Sequence, residues 1–165
     1  APELTPLLDP QLLAREEAYL AEVFRHVTWP PRWAVAFRRP VDGQVSSAFG
    51  ARRRYAGGVL SAPHLGVDLA APAGVPVVAA ADGRVALAEG LRVRGNGVVI
   101  DHGLGVYTAY YHLSDIRVRP GQEVRAGETL GLVGSTGLAT GPHLHWELRV
   151  FGVPADPLGW VGPGD

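Results

Sequence analysis

The sequence predicts an all-β fold of antiparallel sheets, preceded by one amphipathic helix. Three observations carry this: a capped apolar stripe near the N-terminus, a proline-rich break after it, and, from Val41 onward, short β-branched runs alternating with glycine turns. With 165 residues, 47% of them hydrophobic, the chain can core one domain but is too short for two full ones. The reading divides it into 1–40, a helix and proline-rich linker, and 41–165, the β domain.

Asp9-Pro10 followed by Leu12, Leu13, Glu16, Tyr19, Leu20, Val23, Phe24 and Val27 has helical spacing, with Asp9 as N-cap and Pro10 at the first helical position. The helix should end before Trp29-Pro30-Pro31 and lay its apolar stripe on the domain that follows. Between Pro30 and Pro40, paired prolines remove donors and restrict their neighbours, so this stretch reads as a linker. Strands are expected at Val75–Val78, Gly83–Leu87, Val98–Ile100, Val106–Thr108, Glu123–Val124 and Thr129–Val133. Asp82-Gly83, Asn96-Gly97 and Gly103-Leu104-Gly105 are the expected tight turns. The stretch Val118–Glu128 resembles the hammerhead of biotinyl and lipoyl carrier domains, but those carriers modify a lysine and this chain has none.

All 15 basic residues are arginine, set against 16 acidic ones, and a formal net charge of -1 gives no global field toward nucleic acid or an anionic membrane. Without cysteine there is no disulfide, thiolate ligand or cysteine nucleophile. The start at Ala1-Pro2-Glu3 rather than Met reads as a processed or truncated piece, with an export signal or an upstream regulatory or anchoring segment expected beyond it. Charges, Gly or Pro interrupt every apolar stretch before the roughly 18 residues that would span a bilayer.

The chemistry concentrates in three short motifs: His64-x-x-x-Asp68, His112 and His143-x-His145. On extended backbone, residues i, i+2 and i+4 share a face, so His143 projects with His145 and His64 with Asp68. A catalytic zinc takes three protein ligands and keeps one position open; two histidines and one aspartate meet that need and leave two histidines over.

Around these residues stand Phe49-Gly50-x-Arg52, His64-x-Gly66-x-Asp68, Thr108-x-Tyr110-x-His112-Leu113 and Gly141-Pro142-His143-Leu144-His145-x-Glu147. In this order, over the last two thirds of the chain, they resemble the M23 family of zinc endopeptidases, the lysostaphin-like or LytM-type peptidoglycan hydrolases. The resemblance implies Zn2+ as cofactor, His64, Asp68 and His145 as metal ligands, and His112 and His143 as catalytic histidines that do not bind metal. It implies peptidoglycan stem or cross-bridge peptides as substrate and action outside the cytoplasm. Rival expectations are a latent enzyme and a non-catalytic relative that binds the wall or activates an amidase; all five matching positions are present, which favours activity.

Other candidates read as structural. His26 suits a helix C-terminus, and His102 sits at a hairpin end. Gly131–Gly137 lacks the Gly-Lys-Ser/Thr of a phosphate loop and reads as a border of the substrate groove. Arg52-Arg53-Arg54 reads as solvated charge without interleaved aromatics.

Overall fold

The computed structural model describes residues 2–52 and 63–164. Arg53 and Arg54 lie outside the described residues. After a 3-10 turn at Pro2–Leu8 comes α1 (Pro10–Phe24), where the Asp9 carboxylate accepts the Gln11 N–H and Pro10 occupies the first turn. The cap is the one the sequence predicts, satisfying an N–H that the first turn leaves without a helical partner.

Eleven strands follow among the described residues: β1 (Gln44–Ser47), β2 (Val67–Ala70), β3 (Pro76–Val78), β4 (Gly83–Gly90), β5 (Asn96–Gly103), β6 (Val106–Leu113), β7 (Asp115–Ile116), β8 (Glu123–Val124), β9 (Thr129–Leu132), β10 (Leu144–Val150) and β11 (Val153–Ala155). The main sheet runs β1-β2-β10-β6-β5-β4-β8, with β11 paired to β10, and every pairing is antiparallel. A smaller sheet, β3-β9-β7, lies beside it.

The main sheet is covered on both faces, so β6 is buried along its whole length and β5 at every residue after Asn96. One face packs Val67, Leu69, Val98, Ile100, Tyr110, Leu144, Trp146 and Leu148 into the larger core. On the other, Leu20 and Phe24 of α1 meet Leu87, Val99, Tyr107, Ala109 and Tyr111. The helix stripe therefore docks on the sheet as expected, though Tyr19 and Val27 at its margins remain exposed.

The proline-rich stretch is non-helical and packed. The Arg32 N–H donates to the His102 carbonyl, and Phe37, buried in the larger core, pairs with Val161 in a parallel bridge. One expected turn moves: Asn96 and Gly97 lie inside β5, and the left-handed residue before them is Gly95 (φ 65°). Gly103-Leu104-Gly105, all at positive φ, makes the β5–β6 hairpin as predicted.

His26 lies beyond the helix end with its side chain exposed, and its carbonyl accepts the Tyr107 hydroxyl. His102 is fully buried in a one-way hydrogen-bond chain. The Ala80 N–H donates to Tyr110 Oη, Tyr110 to Thr108 Oγ1, Thr108 to His102 Nε2, and His102 Nδ1–H to the Asp82 carbonyl. Only the neutral ring completes that chain, and burial pushes its pKa down to about 4.

Candidate metal centre

Asp68 on β2 and His145 on β10 are directly paired positions of neighbouring strands, and Tyr111 stands opposite His145 on β6. In β10, Leu144, Trp146 and Leu148 fill the larger core, so His145, Glu147 and Arg149 take the opposite face, the one α1 shares.

His64 reaches the site differently from the sequence expectation. It precedes β2, separated from Asp68 by a bend at Leu65-Gly66, so a shared strand face is not what aims the two together. Backbone bonds from Gly50 N–H to the His64 carbonyl and from His64 N–H to the Ala51 carbonyl hold it against the 48–51 turn. Gly66 lets this chain pass close, because a Cβ there would collide with the Trp146 carbonyl. His143 likewise precedes its strand, in an isolated bridge with Gly134.

His112 arrives by a bulge. Val98 pairs with Tyr110 and Asn96 with Leu113, so β6 carries one residue more than β5 over this interval. Regular alternation would send His112 after Tyr110 into the larger core; the extra residue, with φ 64° at His112, turns the ring to the Tyr111 side. It lies there with ring centroids 4.8 Å from His143 and 6.1 Å from His145.

The four imidazoles share one hydrogen-bonding logic. His64 Nδ1 faces the Ala48 carbonyl at 2.9 Å, His112 Nδ1 the Thr136 carbonyl at 2.8 Å, and His143 Nδ1 the Gly141 carbonyl at 2.8 Å. His145 Nε2 faces Glu147 Oε1 at 3.0 Å. Carbonyls and carboxylates only accept, so each of these nitrogens carries a proton, and in the neutral ring the other nitrogen is a lone pair.

Three candidate ligand atoms converge, each able to offer a lone pair once any proton it holds is displaced. His145 Nδ1 is 2.8 Å from Asp68 Oδ1 and 2.9 Å from His64 Nε2, and His64 Nε2 is 3.1 Å from Asp68 Oδ1. All three residues are buried, and their candidate ligand atoms lie within 4.8 Å of one another. Acceptors crowd in this way around a shared proton or cation, and two imidazoles with one carboxylate suit zinc. The donor set fits that ion.

The electrostatics favour an ionised carboxylate. Burial pushes Asp68 up, but hydrogen bonds from His145 and His64 outweigh it and hold the carboxyl well below the usual range. Glu147 is held low in the same way, burial being outweighed by the His145 bond and by the charges of Arg94 and Arg149. For His112 burial is the main cause, reinforced by the neighbouring rings of His145 and His143, and its pKa falls to about 3.

All five sequence-predicted residues are thus brought together. Sequence reasoning gave no role to Glu147, Arg149 or Thr136. The first two were findable, because Glu147 and Arg149 continue the His145 face by alternation; Thr136 acts through a carbonyl, which carries no residue signature.

An all-β scaffold with a buried His/Asp/His cluster and two further histidines beside it defines a metallopeptidase-type site. The sequence model of peptidase family M23 matches residues 62–157, and the chain belongs to that family. Among its relatives, peptidoglycan DD-endopeptidase ShyA of Vibrio cholerae is 46% identical over 126 residues, 74% of this chain and 29% of that protein. A crystal structure of a putative peptidase M23 from Pseudomonas aeruginosa superposes with a TM-score of 0.80 at 36% identity, covering 95% of this chain and 63% of that one. A zinc-containing peptidase from Vibrio cholerae superposes at 0.70 with 38% identity, covering 76% and 40%. The chain spans less than a third of the length of the curated relatives it matches.

Proposed function

We propose that this chain is the catalytic part of a zinc-dependent endopeptidase that hydrolyses peptide bonds in the stems or cross-bridges of bacterial peptidoglycan. The carrying observation is the convergence of three candidate ligand atoms, from two imidazoles and one carboxylate, beside two further imidazoles whose Nδ1 protons are held by backbone carbonyls. The relative named a peptidoglycan DD-endopeptidase supports a bond between D-configured residues. Because peptidoglycan lies outside the cytoplasm, action there follows from the substrate; among the described residues no helix is long and apolar enough to cross a membrane.

On this reading His64 Nε2, Asp68 Oδ1 and His145 Nδ1 hold the ion, and residues 41–165 form the catalytic domain behind the 1–40 helix and proline-rich stretch. Zinc supplies Lewis acidity for amide hydrolysis. His143 Nε2, a lone pair 3.9 Å from Asp68 Oδ1, accepts the proton of the attacking water, and the carboxylate offsets the charge the ring acquires. The same Nε2 then delivers that proton to the leaving amine. His112, kept neutral by burial, presents Nε2 as an acceptor that orients the water or a substrate N–H.

Mass spectrometry of fragments released from purified peptidoglycan by zinc-loaded protein, beside chelated and His143→Ala samples, tests the reading. Zinc- and His143-dependent release identifies the new amine and carboxyl ends. No release from zinc-loaded protein overturns the peptidase reading in favour of a wall-binding or latent one.

A further inference from the structure

Two adjacent carboxylates of α1, Glu16 and Glu17, connect to the site by different routes. Glu16 is buried, and its Oε2 accepts the Val93 N–H at 2.8 Å while Oε1 accepts the Arg94 N–H at 2.9 Å and Arg94 Nη1 at 3.4 Å. The turn it grips continues to the histidine: the His112 N–H donates to the Arg94 carbonyl, and the Leu138 N–H, next to the Thr136–Gly137 loop, donates to the Val93 carbonyl. Glu17 Oε1 pairs with Arg149 Nη2 at 3.2 Å and Oε2 with Arg94 Nη2 at 2.5 Å. Arg149 in turn clamps Glu147 Oε2 through Nε at 2.9 Å and Nη2 at 2.8 Å, and the other Glu147 oxygen holds His145 Nε2.

We propose that Glu16 and Glu17 are positioning residues for the site, Glu17 setting the His145 ring through Arg149 and Glu147, and Glu16 setting His112 through the Val93–Gly95 turn. A helix that only had to pack would place an apolar side chain at position 16, in line with Leu20 and Phe24; here a buried carboxylate takes that place and finds two backbone N–H donors on the turn next to His112. The helix also lies outside the segment that matches the family model, which starts at residue 62. The catalytic part therefore borrows the rigidity of its site from an element beyond the family's own segment.

The inference rests on the zinc reading and separates into two measurable arms. In the full chain, zinc affinity is measured by competition with a chromophoric chelator, ligand geometry by the visible spectrum of the cobalt-substituted protein, and turnover by fragment release. Partners directly bonded to a ligand histidine change metal affinity about 10- to 100-fold, so Glu147→Gln marks that scale and Glu17→Ala, one link further out, should weaken zinc about threefold and alter the cobalt spectrum. In the Glu147→Gln background, Glu17→Ala should add nothing. Glu16→Gln should lower kcat while leaving zinc affinity and KM unchanged, a split that general destabilisation does not produce. Glu22→Ala, on the same helix but in an exposed pair with Arg25, should move none of these.

A Glu17→Ala protein that binds zinc as tightly as wild type with an unaltered cobalt spectrum overturns the proposal, and the Glu17 arm decides even if Glu16→Gln does not fold. Wild-type protein that binds zinc without releasing fragments overturns the peptidase reading alone. Wild-type protein that takes up no zinc overturns both.

Discussion

Thr136 holds His112 with its carbonyl and anchors itself with its hydroxyl. The carbonyl takes the Nδ1 proton of His112 at 2.8 Å, while Oγ1 accepts the Asn96 N–H at 2.9 Å and donates to the Leu113 carbonyl at 2.7 Å. The loop thereby straddles the bulge that presents His112. Thr136→Val keeps the shape but leaves both backbone groups without the hydroxyl, which should cost about 1–3 kcal/mol in urea unfolding. The loosened carbonyl should lower kcat about 10- to 100-fold through misplacement of His112, with zinc content unchanged. Full activity in Thr136→Val would show that the loop does not set the ring.

How much of this site could be read in advance depended on where the aiming is done. His145 and Asp68 sit on strands, where alternation in the sequence maps onto sides of a sheet, so their convergence was legible. His112 was legible as a motif but not as a geometry, since a one-residue bulge reverses the side that alternation assigns. The helix was legible from its cap and stripe, yet Glu16 sat in that stripe without revealing that its partners were backbone N–H groups 77 and 78 positions away. Strands β1, β7 and β11 were missed; they are two to four residues long, and β1 has exposed or half-buried side chains with no alternating pattern.

The five site residues should divide cleanly in a metal assay. Replacing His64, Asp68 or His145 with Ala removes one of the three converging atoms and should abolish stoichiometric zinc binding, and activity with it. His112→Ala and His143→Ala should retain zinc while turnover falls about 10²- to 10⁴-fold, the range of a lost proton-transfer group. Inductively coupled plasma analysis after desalting reads the metal. Loss of zinc in His143→Ala would place that residue among the ligands instead.

His102 makes the fold acid-sensitive independently of the metal. Burial lowers its pKa to about 4 from 6.5, so between these values the unfolded chain binds a proton that the folded chain refuses. Stability from this group is full above about pH 6.5 and is lost as pH falls toward 4, a total of about 3 kcal/mol. Urea midpoints of the chelated protein should decline through this window. Nitrogen chemical shifts of the His102 ring should still report the neutral Nδ1–H form at pH 5, and a protonated ring there would refute the assignment.

On the proposed assignment, zinc and protons compete for one lone pair at His145. In the metal-free chain burial opposes a charge on that ring, but hydrogen bonds to Asp68 and Glu147 outweigh it and raise the pKa above the ordinary histidine value. The extra proton sits on Nδ1 against Asp68 Oδ1, the position a metal would take, while the carboxyl of Asp68 is held ionised and adds no proton of its own. Zinc uptake below that raised pKa must therefore expel a proton, and affinity should fall about tenfold for each pH unit below it. Calorimetric titrations in buffers of different ionisation enthalpy count the protons released. Zinc at about 100 times its dissociation constant should add about 2.7 kcal/mol of stability, and chelation should remove it. Binding that releases no proton at mildly acidic pH would mean that His145 Nδ1 is not a ligand.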